Sequence, residues 1–128
     1  MTNLREALYE YINSTTTTAV YTNVPLNATL PYYRLSRISR VKYHEYTGDS
    51  GFYRDLWQVD CVAENSAGAD TLARALLEDL DEYEGDMIDV DVRSCLSTGM
   101  FDSVEQFKDS EKLYYRVVLE FEIMANET

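Results

Sequence analysis

The sequence predicts an α+β fold. It would be a mostly antiparallel sheet of four to five strands, with one long helix packed on a face and a short N-terminal helix beside it. Three observations carry that expectation. Residues 113–123 alternate without a slip: Leu113, Tyr115, Val117, Leu119, Phe121 and Ile123 share one face, while Tyr114, Arg116, Val118, Glu120 and Glu122 share the other. Period-two alternation marks a strand with one face on a core. Residues 67–84 set Leu72, Ala73, Leu76, Leu77, Leu80 and Tyr83 at helical spacing, with Asp70, Arg74, Glu78, Asp81 and Glu82 toward water. The order of segments is helix, strand, strand, helix, strand, strand. At 128 residues the chain is expected to be a single domain spanning 1–128, long enough for one core.

The elements follow in order. Leu4, Ala7, Leu8, Tyr11 and Ile12 form one apolar stripe, so a helix is expected from about Leu4 to Asn13. Asn3 can cap it, with Glu6 reaching back to complete the pair. Ser14 and the threonines at 15–18 stop it. Residues 19–24 read as a short strand before Pro25, and residues 25–31 as a loop. A strand is expected over 32–46. Its alternation breaks at Ile38, and one extra residue near Ser36–Ser39 restores it, which reads as a bulge. Gly48-Asp49-Ser50-Gly51 reads as a hairpin turn. The partner strand covers 52–63, with Tyr53, Trp57, Val59, Cys61 and Ala63 on one side and Arg54, Gln58 and Asp60 on the other. Ser66 is the expected cap of the second helix and Gly85 its stop. Ile88, Val90 and Val92 alternate with Asp89, Asp91 and Arg93, predicting a strand over 87–96. Residues 97–111 carry few signals and read as a long hairpin tip.

Composition excludes several classes. The formal net charge is -12. It is uneven: residues 1–58 hold six basic and five acidic side chains, and residues 59–128 hold five and eighteen. Such a chain is not a non-specific phosphate binder, which needs clustered Lys and Arg. It would stay soluble, or repel DNA. Residues 1–12 lack the apolar region of a signal peptide, and no run approaches the roughly 20 apolar residues of a membrane span. The sequons at Asn13, Asn27 and Asn126 therefore carry no weight. Cys61 and Cys95 fall in separate strands and read as buried free thiols, with a disulfide left open. The eleven tyrosines suit half-buried sheet and interface positions.

No catalytic motif emerges, so a non-enzymatic role is expected. Gly48-Asp49-Ser50-Gly51 matches the sequence around the nucleophile of trypsin-like serine proteases, but those enzymes need two β-barrels to assemble the triad. The chain is too short for them, Phe52 stands where that family has another glycine, and the lone His44 lies across the same hairpin. His44, Cys61 and Cys95 lack metal-ligand spacing, and no glycine-rich phosphate loop is present. No cofactor is therefore expected. Asp89 and Asp91 on one strand face could hold Mg²⁺ in a nuclease, as could Glu120 and Glu122, or could be the solvent face of an acidic strand. Arg34, Arg37, Arg40 and Lys42 are the one basic cluster. They can pair across strands with Asp55 or Asp60, or dock the acidic half of a neighbouring copy.

Several short motifs, in order, resemble one family over nearly the whole chain. They are the helix Leu4-Arg5-Glu6-Ala7-Leu8, Leu30-Pro31-Tyr32-Tyr33, Trp57-Gln58-Val59-Asp60-Cys61, the amphipathic helix 69–80, and the closing Tyr114-Tyr115-Arg116-Val117-Val118-Leu119-Glu120-Phe121. Together the chain resembles the tail-terminator, or tail-completion, proteins that join head to tail in long-tailed bacteriophages. The resemblance implies a non-enzymatic virion protein, assembled in the host bacterial cytoplasm and located at the head–tail interface. It implies a ring of copies, commonly a hexamer, that caps the tail tube, meets the head connector and lets DNA pass without specific binding. The alternatives are another neck or minor tail protein, an acidic metal-dependent nuclease, or a small acidic adaptor. On the ring reading, Phe101, Val104 and Phe107 are the expected apolar contacts, and Arg34, Arg37 and Arg40 the expected docking charges. Asp89 and Asp91 would line a DNA-repelling lumen.

Overall fold

The computed structural model describes residues 3–24, 28–45, 48–106 and 113–126; of residues 43–45, 48–51, 103–106 and 113 it describes the backbone alone. In chain order the elements are α1 (Leu4–Thr15), β1 (Ala19–Tyr21), β2 (Tyr32–Glu45), β3 (Gly48–Ala63), α2 (Ser66–Leu80), β4 (Gly85–Met87), β5 (Val90–Gln106) and β6 (Leu113–Asn126). The strands form one curled sheet in the order β1-β2-β3-β6-β5-β4. β1 runs parallel to β2, and every other pair is antiparallel.

The expected fold class is overturned. The chain is mostly sheet, with six strands rather than four to five, mixed rather than uniformly antiparallel, and with two short helices rather than one long one. Three local events account for the difference. The three-residue β1 lies parallel beside Tyr32–Arg34. The strand expected over 87–96 is broken in two, because Ile88 takes a left-handed φ of 57° and turns the chain between Met87 and Val90. The segment 97–111, expected as a hairpin tip, is strand through Gln106, paired residue by residue with β6.

Helix two also stops early. Asp81 leaves the helical region with ψ 131°, and Glu82 follows at φ 65°. Tyr83 therefore lies beyond the helix, where its ring meets Tyr11 edge to face at 5.1 Å. The Tyr11 hydroxyl donates to the Asp79 carbonyl at 3.1 Å, tying α1 to the end of α2. The cap of α2 is Asn65, not Ser66: its Oδ1 accepts from the Gly68 N–H at 2.7 Å, satisfying an otherwise orphaned donor. Asn3 caps α1 as expected, accepting from the Glu6 N–H at 2.9 Å.

Both helices cover one face of the sheet. Leu4, Leu8 and Ile12 of α1 and Leu76 and Leu80 of α2 are buried against Tyr33, Trp57, Val59, Leu119, Phe121 and Ile123. Each buried leucine contributes about 1.5–3 kcal/mol relative to exposure. The bulge in β2 falls where the alternation broke, with the register shifting between Arg37 and Ser39. Gly48–Gly51 are not a turn. Gly48 pairs with Glu45 and Asp49 with His44, so both belong to β3, and residues 46–47 lie outside the described residues.

Candidate assembly surface

The arginine cluster divides. β3 places Asp55 on the core side, in step with Trp57, and the register sets Arg40 opposite it. Asp55 is only 1% exposed. Its carboxylate accepts twice from the Arg40 guanidinium, Nε at 2.8 Å and Nη2 at 2.9 Å, and once from Trp57 Nε1 at 3.0 Å. Arg40 also stacks over the Tyr53 ring at 4.4 Å. A buried charge held by a bidentate fork and a third donor is well satisfied. The cross-strand pair expected for this cluster is therefore present, and Arg40 belongs to the domain's own interior. Arg34 and Arg37 are exposed.

The outer face of the sheet, away from the helices, has a buried centre. Asp60 is 3% exposed and accepts from Gln58 Nε2 at 2.9 Å and Arg116 Nη1 at 3.5 Å. Val62 and Val118 are buried beside it. Val118 was expected on the solvent side and is instead 1% exposed, opposite Asp60.

Toward the margins, apolar side chains reach water. Ile38 and Val41 on β2 are 53% and 49% exposed, and Leu96, Met100 and Phe101 on β5 are 50%, 45% and 49% exposed. Phe101 sits level with Val118 and stays out of the core. The Val104 backbone pairs with Tyr115, while its side chain and Phe107 lie outside the described residues.

The carboxylates proposed for the lumen are not neighbours on one strand face. Asp89 is exposed in the turn before β5, and Asp91 accepts from Arg93 Nε at 3.2 Å. Among the described residues no group of His, Cys, Asp and Glu could hold a metal ion. Cys61 and Cys95 are free and buried. A cleft of about 530 Å³ lies between the first turn of α2 and β6, lined by Asp70, Asp102, Tyr115 and Arg116 among others. No helix is long and apolar enough to cross a membrane.

No protein-family model and no curated protein matches the chain. A solved structure does. The chain superposes on a chain from the virion of a native gene transfer agent particle with a TM-score of 0.70, at 16% identity, over 95% of this chain and 93% of that one. The two share a fold from end to end.

Proposed function

We propose that this chain is a non-enzymatic structural component of a phage-like virion. In the finer reading, copies form a ring that ends the tail tube and joins it to the head connector. The observation that carries the coarser reading is the shared fold: nearly the whole chain superposes on nearly the whole of a virion component. The order of motifs from the Leu4 helix to the Tyr114–Phe121 strand supports the finer one. So does the distribution of exposed apolar side chains on two different strands, since a head-to-tail ring needs two unlike contact surfaces on each copy. The partners would be further copies, the tail tube protein and the connector.

The test is native mass spectrometry of the full chain, alone and with tail tubes from the particle that the same genome encodes. Rings, alone or only at tube ends, are expected. A monomer that ignores tubes would remove the ring reading.

In this assembly DNA passes without being held. A net charge of -12 opposes phosphate binding. In this reading Asp89 and Asp91 would face the lumen. Asp89→Asn with Asp91→Asn should slow DNA ejection from particles whose rings are intact. Ejection kinetics unchanged from wild type would take these two residues out of the lumen.

A further inference from the structure

Among the described residues the sheet has two long open edges, and they sit on its two outermost long strands. β1 covers β2 only at Tyr32–Arg34, and β4 covers β5 only at Val90–Val92. Two further contacts guard β5 near Cys95: the Glu82 N–H donates to the Cys95 carbonyl at 2.7 Å, and the Ser97 N–H to Asp81 Oδ1 at 2.9 Å. Beyond these, no described strand pairs with residues 35–45 of β2 or 98–106 of β5 on their outer sides. An open edge presents a row of backbone donors and acceptors that templates another strand.

These edges are complementary in three ways. Strand direction is the first. β2 runs with β6 and against β5, so a cyclic repeat lays β5 of one copy antiparallel to β2 of the next. Apolar exposure is the second: Ile38 and Val41 mark one edge, Met100 and Phe101 the other, each about half exposed. Charge is the third, with exposed Arg37 on β2 and exposed Asp102 on β5.

We propose that copies of this chain join edge to edge, the open part of β5 in one copy pairing antiparallel with the open part of β2 in the next, so that the sheet continues across the joint. This rests on the ring reading above and names the surfaces that make it. Leu35 and Met100 both lie level with Val59, and the open parts run from there toward opposite ends of the sheet. Neighbouring copies are therefore staggered along the strands, which tilts the strands to the ring axis, as closure of any sheet requires. β1 and β4 act as guards that limit pairing to this one register, since a fully open edge would admit many.

The test is amide hydrogen exchange on the full chain, read by mass spectrometry, as monomer and as assembled ring. Peptides covering 35–45 and 98–106 should both slow, by up to roughly tenfold where a new hydrogen bond forms. Rings in which neither segment slows would overturn edge pairing while the ring reading stands. A chain that never assembles, concentrated or on tubes, would overturn both. A second arm uses exposed charges that do not threaten folding. Arg37→Glu and Asp102→Lys should each assemble poorly alone, and an equimolar mixture should regain assembly. In a ring where the two variants alternate, each joint is either native or carries the swapped pair. A mixture as defective as the single variants would overturn the β2-to-β5 joint.

Discussion

Replacing Asp55 with alanine should lower the thermal midpoint by about 10–20 °C. The carboxylate accepts from Trp57 Nε1, and Trp57 is 1% exposed. It is also the bidentate partner of Arg40, whose side chain is 23% exposed. Removing it takes the acceptor from a buried indole N–H and the bidentate carboxylate from the Arg40 guanidinium together. Breaking one side of such a pair costs about 3–5 kcal/mol, because the remaining charge is left uncompensated. For a domain of this size each kcal/mol shifts the midpoint by about 3–5 °C. Removing both charges, as Arg40→Met with Asp55→Leu, should cost less than Asp55→Ala alone, since no orphaned charge remains. A circular-dichroism melt decides it. A shift under about 3 °C for Asp55→Ala would mean that water or a rearranged Arg40 replaces the carboxylate.

How much of this was legible in the sequence depends on the range of the interaction. The Asn3 cap, the α1 stripe and the bulge at Ile38 are local patterns, and each is found where the pattern puts it, while the alternation of β6 holds from Val117 to Ile123 except at the buried Val118. That the arginine cluster pairs across strands with Asp55 or Asp60 was legible, but the choice of Asp55 was not, because a turn at Gly48–Gly51 implies a different register from the one found. Sheet order was not. Nothing local to Ala19–Tyr21 says that it lies parallel to β2, since that pairing is set by how α1 delivers the chain to the sheet edge. Ile88 misled in a specific way. It continues the alternation of Val90 and Val92, yet it sits at φ 57°, a conformation β-branched residues seldom adopt. Residues 97–106 were missed because Ser97, Thr98, Gly99, Asp102 and Ser103 dilute the apolar period. Their strand state comes from the long β6 beside them, which holds them by backbone pairing. The assembly surface shares that difficulty: an open edge is a property of what is not beside a strand, and no residue pattern encodes it.

Alkaline pH should unfold the chain cooperatively, beginning above about pH 9, with the cysteines as the first cause. Burial, with Asp81 nearby, pushes the Cys95 thiol from its ordinary 9.0 up to about 12. Burial, with Asp60 adjacent, raises Cys61 further. Both residues are 0% exposed. Below pH 9 the folded and unfolded chains hold these protons equally, so the contribution to stability is fully present. Above it the unfolded chain releases them while the folded chain keeps them. Stability then falls by about 1.4 kcal/mol per pH unit for each thiol, so by about 3 for the two. Tyr33, raised by burial above its ordinary 10.0, adds to the slope at higher pH. Its hydroxyl donates to the Leu72 carbonyl at 2.8 Å, which ties this titration to the seat of α2. A domain with about 5–15 kcal/mol of stability would be exhausted within a few pH units of that onset. The measurement is tryptophan fluorescence and thiolate absorbance over one pH titration. Trp57 is the sole tryptophan and lies in the core, so its emission reports the packing directly. The two signals should change together, because the thiols ionise only when the core opens. Thiolate absorbance rising near pH 9 with Trp57 emission unchanged would show that water reaches Cys61 and Cys95 in the folded chain. Cys61→Ala with Cys95→Ala should remove most of the slope between pH 9 and pH 10, which separates the thiols from the tyrosines.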